Sequence, residues 1–313
     1  MPVLSLKTGT KSRSLLVGNE AYNPFIGARG VIGGGYTTSN SNIIDYVTID
    51  TTGNATDFGD LTLARFAVAS CSSLTRGIFA GGYDGNNTNI IEYITILTTG
   101  NATDFGDLTE TRRDMKGCSS STRGLFGGGY ANANSNVIDY ITIASTGNAI
   151  DFGDLSLTRW GTSSCSSPTR GIFAGGYTSS QNNTIDYVTI DTTGNATDFG
   201  DLTVARYTPA GSSSSTRGIF GGGDSSGSVN VIDYITIATI GNAIDFGDLT
   251  VARRQPAGCT NTIRSLFAGG DTGSSSNVID YVTIVTLGNA VDFGDLTAAR
   301  EAPAGLSNGH GGL

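Results

Sequence analysis

Short apolar runs recur along this chain, each bounded by clusters of Gly, Ser, Thr, Asn and Asp, and no long stretch carries a helical period. Runs of that kind predict β-strands joined by tight turns. The pattern is itself periodic. An Asp-Phe-Gly-Asp tetrad begins at Asp57, Asp104, Asp151, Asp198, Asp245 and Asp292, a spacing of 47 residues kept without insertion or deletion. Such a period marks one supersecondary unit copied six times, with each copy burying its apolar faces against its neighbours.

Within a unit the runs predict four strands, exemplified by 66–71, 76–82, 89–96 and 102–108. The Gly-Asn doublets, such as Gly53-Asn54 and Gly100-Asn101, fall between the third and fourth strands, where a hairpin with positive φ is expected. Asn54, Asn101 and Asn195 also begin Asn-Ala-Thr sequons, but Asn148, Asn242 and Asn289 keep the turn without the sequon, so the turn is the primary role. The third strand, as in Val137-Ile-Asp-Tyr-Ile-Thr-Ile143, places apolar side chains on both faces. A sheet covered on both sides reads this way, and blades packed between blades meet the condition.

The chain ends favour closure. Residues 299–305 form a first strand with no later strands to join, while the unit opening at Arg29 lacks a first strand of its own. The expected fold class is therefore all-β, a six-bladed propeller of 47-residue blades over residues 29–313, whose C-terminal strand completes the first blade, preceded by an arm at residues 1–28.

Composition removes several function classes. The formal charge of −9 comes from the repeat, each unit carrying three acidic positions and two arginines. It is spread around a ring and offers no basic face to nucleic acid. Cys71, Cys118, Cys165 and Cys259 share one position of the unit, too far apart around a ring for disulfides, and are read as free, small core or channel residues. The first 20 residues contain no apolar run long enough for a signal peptide or a membrane span, which predicts synthesis in a cytoplasm and no membrane insertion. With His310 the only histidine, a His-based triad or multi-histidine metal site cannot be built within the chain, so no catalytic residue, metal or cofactor is expected. The tetrad carboxylates could in principle hold calcium, but the spacing of an EF-hand loop is absent; the expected role is a strand-end turn in which Asp caps amides and pairs with a repeated Arg while the Phe packs between blades.

The unit resembles a kelch repeat. It has an apolar strand ending in Gly-Gly (Gly34-Gly35, Gly81-Gly82, Gly128-Gly129 and their equivalents), then a Tyr, an aromatic and an Arg. It departs from the kelch pattern in placing Phe58 and its equivalents where kelch units carry Trp, and in a longer interval from Tyr to that aromatic. The resemblance covers residues 29–306 and implies kelch-type blade geometry.

On that geometry the copies differ on one face. The residue after the second repeated arginine is Phe66, Arg113, Trp160, Tyr207, Arg254 or Glu301, and the loops after Gly-Gly, opened by Tyr83, Tyr130 and Tyr177 in three units, vary beside it. The opposite face, with its Ser-Ser-x-Thr-Arg loops and Gly-Asn hairpins, hardly changes. Aromatic and Arg side chains on a polar rim suit a sugar or a protein surface. The arm is distinct again, with Lys7, Lys11 and Arg13 beside Leu15 and Leu16, and suits docking onto another subunit or, alternatively, a strap packed along the propeller's own side.

The near-identical Gly-Asn-Ala-Thr-Asp-Phe-Gly-Asp units and the Gly-rich ending also resemble propeller proteins of marine tailed bacteriophages, cyanophages in particular. That resemblance implies a non-enzymatic virion structural protein, made in the host cytoplasm: a fibre, tail or capsid decoration held to other virion proteins by its arm within a larger assembly. The diversified face is then expected to meet a host-surface glycan or protein. An intracellular kelch-like adaptor and a free glycan-binding lectin are the alternatives.

Overall fold

The structure is a computed structural model that describes residues 27–313 and, before them, only the paired strands Leu15–Val17 and Glu20–Tyr22. Six sheets of four antiparallel strands form the blades of a propeller, and within each the strands neighbour one another in order. In the second blade these are the inner strand Ala69–Ser72, the second strand Arg76–Ala80, the third strand Ile90–Thr95 and the outer strand Thr103–Asp107. The first blade is completed from the far end of the chain: Ala304–Ser307 pairs with Arg29–Gly33, setting Leu306 opposite Val31. Closure therefore follows the reading of the two chain ends.

The inner strands begin later than the sequence predicts. Phe66 makes an isolated bridge to Tyr83, and the backbone then turns through Ala67 at φ 55° before the strand starts at Ala69. The same left-handed turn occurs at Asp114, Gly161, Thr208, Gln255 and Ala302. Each of these six residues donates its N–H to the carbonyl of its counterpart in the preceding blade, from Asp114 to Ala67 (3.0 Å) around to Ala67 to Ala302 (3.1 Å). A closed circle of six backbone hydrogen bonds encircles the axis. The left-handed conformation costs an L-residue about 1–2 kcal/mol, and five of the six positions are not glycine. The circle satisfies groups that would otherwise be unpaired where the inner strands converge.

Blades are joined by repeated contacts. Arg112, in the linker after the second blade, is fully buried; it donates to Asp139 in the third strand of the third blade (2.8 Å) and to the carbonyls of Phe126, Gly128 and Val137. Asp139 in turn accepts from Thr109 N and Oγ1. A buried pair is tolerable only when most of its remaining hydrogen-bonding capacity is filled in this way, and here Nε is the one guanidinium nitrogen of Arg112 left without a partner. This corrects the expected role of the tetrad: the arginines pair with the third-strand acids, not with the Asp-Phe-Gly-Asp carboxylates. The other arginine series stacks on the central tyrosines, as Arg29 does 4.2 Å from the Tyr46 centroid, while donating to the next blade at Ile96 O. The tetrad Phe does pack in the core, with Phe58 2% exposed.

The Gly-Asn doublet differs from the expected tight hairpin as well. The connection runs from the third strand ending at Thr95 to the outer strand starting at Thr103, and it reaches across to the preceding blade. Gly100 N donates to Phe58 O (2.8 Å), Ala102 N to Asp60 O (2.8 Å), and Asn101 Oδ1 accepts from Asp60 N (3.0 Å). The doublet covers the open edge of the neighbouring outer strand, where exposed backbone groups would invite pairing with other chains. A Cβ at Gly59 would lie 2.5 Å from Gly100 O, so this close approach is what holds glycine in the tetrad.

The four cysteines are free and buried. Cys165 faces Gly218 of the next blade, where a Cβ would come within 2.6 Å of its sulfur. At the position where Ser212 replaces cysteine, the facing glycine is replaced by Ser265 and the two hydroxyls bond to each other.

Candidate functional site

The axial channel is the first place to look for a site in a propeller, and here it is narrow and plugged at one end by the tail of the chain. At the end carrying the varied loops it is ringed by the amide circle. Towards the other end the hydroxyls of Ser72, Ser119, Ser166, Ser213 and Ser307 each donate to a carbonyl of the preceding blade at 2.5–2.8 Å. Against this layer sits the tail 308–313. His310 Nε2 donates to Ser72 O (3.0 Å) while Nδ1 accepts from Gly312 N (3.1 Å), so the neutral ring is bonded on both sides. Burial pulls its pKa down to about 4. The space left beneath the tail is about 60 Å³, lined chiefly by the serines and cysteines of the inner strands. Lys116, the one lysine beyond the arm, lines the other end of the channel, and burial lowers its pKa.

The varied face is organised differently. The residue after each linker arginine is paired by a backbone bridge with the residue after Gly-Gly: Phe66 with Tyr83, Arg113 with Tyr130, Trp160 with Tyr177, Tyr207 with Asp224, Arg254 with Asp271 and Glu301 with Tyr36. All nine sequence-predicted residues of this face therefore stand on one ring of twelve. Tyr36, Asp224 and Asp271 complete it; their signal was the shared position after Gly-Gly, which tyrosine occupies in four units and aspartate in two.

The ring has two chemically distinct arcs. Along one, Tyr36 meets Phe66 (5.6 Å between centroids), Phe66 meets Tyr83 (5.5 Å), and Arg113 lies 4.7 Å from the centroid of Tyr83 and 5.1 Å from that of Tyr130. Trp160, Tyr177 and Tyr207 then form a mutually contacting triplet at 5.0–5.5 Å. Edge-to-face packing of this kind fixes the rings and leaves part of each facing outward. Each of these side chains is half-buried.

The other arc is ionic. Arg254 is bracketed by Asp224 (3.2 Å) and Asp271 (2.7 Å), with Glu301 next around the ring. Hydrogen bonding to Asp271 raises the Arg254 pKa. Glu301 is raised above the usual carboxylate range by burial and then by Asp271, and the Tyr207 hydroxyl by burial and then by Asp224. Both aspartates are fixed from behind, Asp224 accepting from Gly227 N and Asp271 from Gly273 N. This arrangement can stack flat apolar surfaces and hydrogen-bond polar ones; among the described residues no three His, Cys, Asp or Glu side chains converge as ligands for a metal.

The opposite face carries the entry of the chain. Ala28 N donates to the Asp50 carboxylate (3.2 Å), which also accepts from Asn261 of the sixth blade (2.6 Å). Of the arm residues singled out in the sequence, Lys7, Lys11 and Arg13 lie outside the described residues; Leu15 and Leu16 lie on the short strand 15–17, paired with Tyr22 and Ala21. On the rim of the fifth and sixth blades, Ile240, Ile244, Leu287 and Val291 are half or more exposed, where the first, second and fourth blades carry threonine.

No protein-family model and no curated protein matches this chain.

Proposed function

We propose that the chain is a non-enzymatic structural protein of a virion, a kelch-like propeller of the kind borne by tailed bacteriophages, mounted on the particle by its N-terminal arm and turning its varied face to a host surface. The observation that carries this reading is the opposition of the two faces. The arm joins the ring at Ala28, on the side of the less varied loops and the tail plug, whereas the twelve-residue ring with Trp160, Tyr207 and Arg254 lies on the other side. The chain thus enters the ring on the side away from the varied face. The threonine-to-aliphatic change on the rim at Ile244 and Leu287 adds apolar surface for subunit contacts within an assembly.

Removal of residues 2–17 tests the mounting role. The truncated ring is expected to melt like the full chain and to be missing from purified particles. Particles that incorporate it normally would refute the arm as the attachment element.

A further inference from the structure

We infer that the junction of the two arcs on the varied face, around Tyr207, binds an uncharged saccharide and rejects acidic ones; this rests on the varied face being the recognition surface. Trp160, Tyr177 and Tyr207 supply ring surface fixed by mutual packing at 5.0–5.5 Å, a platform for the apolar face of a pyranose. Immediately beside it, Asp224, Arg254 and Asp271 supply acceptors and donors to bond hydroxyl groups, held in place by their own ion pairs at 2.7–3.2 Å and by loop amides. Orientation by a few fixed polar groups next to aromatic surface is how small-molecule sites achieve specificity.

The charge balance selects among sugars. One guanidinium faces three carboxylates, those of Asp224, Asp271 and Glu301, so the arc is net negative and its only cation is already engaged on both sides. A uronic acid, sialic acid or phosphorylated sugar would bring a further negative charge against it, and like charges in apposition oppose binding strongly. Arg113, the cation of the other arc, is occupied by Asp114 (3.3 Å) and by two tyrosine faces. A peptide with an apolar anchor is less well served: a cavity of about 290 Å³ lies behind the rim hairpin at Tyr187 and Asn195, away from this triplet, and the space on the axis is only about 60 Å³.

The test uses surface polysaccharide from host cells, freed of protein and separated by anion exchange into neutral and acidic fractions, with the intact cells alongside. The full chain is expected to be retained by the neutral fraction and by cells, not by the acidic fraction. Trp160→Ala should weaken retention at least tenfold with an unchanged melting temperature. Should Trp160→Ala fail to fold, the near-isosteric Asp224→Asn/Asp271→Asn protein supplies the second readout: it should gain binding to the acidic fraction. Binding of the wild-type chain to the acidic fraction alone, or to cells but to neither fraction, would overturn the saccharide assignment while leaving surface recognition intact. Failure to bind cells at all would remove the recognition reading itself.

Discussion

Arg300 and Asp45 meet at 2.9 Å, both wholly buried, although 255 residues separate them in sequence. They are the seam of the ring, and the seam is made of the same contact as the other five junctions. Removing one partner leaves a buried charge alone, which costs about 3–5 kcal/mol. Arg300→Met and Arg112→Met should therefore lower unfolding free energy by similar amounts in denaturant titrations. A much smaller loss for Arg300→Met would mean that the seam is not held as the internal junctions are.

The circle of left-handed residues predicts an unusual substitution pattern. At Gln255, φ is 57° and the N–H donates to Thr208 O at 3.0 Å. Gln255→Gly relieves the left-handed strain, offset in part by the flexibility of glycine in the unfolded chain, and should be neutral or stabilising by up to about 1 kcal/mol. Gln255→Pro can neither adopt this φ nor donate the bond, and a loss of about 3 kcal/mol or more is expected. Thermal melts of the two proteins decide the matter; equal stability would contradict the circle.

The tail plug should be sensitive to acid. His310 has a folded pKa of about 4 against an ordinary 6.5, because burial disfavours the cation. A depressed histidine pKa means that the unfolded chain takes up the proton first, so the contribution of the neutral ring is complete above pH 6.5 and is lost as pH falls towards 4. Allowing for the partial exposure of the side chain, the loss is on the order of 2 kcal/mol. Protonation at Nδ1 would also break the bond from Gly312 N. The melting-temperature advantage of the full chain over one lacking residues 309–313 should shrink between pH 7 and pH 4.5; an advantage independent of pH would exclude this role for His310.

The thiols should be inert while the ring is folded. Burial pushes Cys118 and Cys259 up to about 12 and Cys71 and Cys165 well above their ordinary value. Since the thiolate is the reactive form, a thiol reagent at pH 8 should titrate none of the four in the native protein and all four in denaturant. Rapid native labelling of any one would show that its blade interface opens.

Much of the architecture is legible in the sequence because one period governs it. The fixed spacing of the tetrads set the blade count, and the unpaired strands at the two ends set the closure now seen between Leu306 and Val31. The same uniformity hid the partnerships. Every unit carries two arginines and three acids, so sequence could not say that Arg112 belongs to Asp139 across a blade boundary rather than to the nearer Asp104 or Asp107. The inner-strand start was set too early because Ala67, Asp114, Thr208, Gln255 and Ala302 give no sign of left-handed backbone; only Gly161 betrays it. The plug was illegible for a simpler reason, since a Gly-rich tail acquires its shape only from the serine-lined channel it enters. On the varied face, the positions that differed between copies led to the nine predicted residues, and three-dimensional pairing added Tyr36, Asp224 and Asp271, the two aspartates bracketing Arg254.

Immunogold microscopy with an antibody against the ring, applied to virus particles from a lysate of the source cells, tests the central proposal most directly. Label at the capsid, tail or fibre tips is the predicted result; label confined to cell cytoplasm, with particles bare, would contradict it and return the chain to an intracellular role.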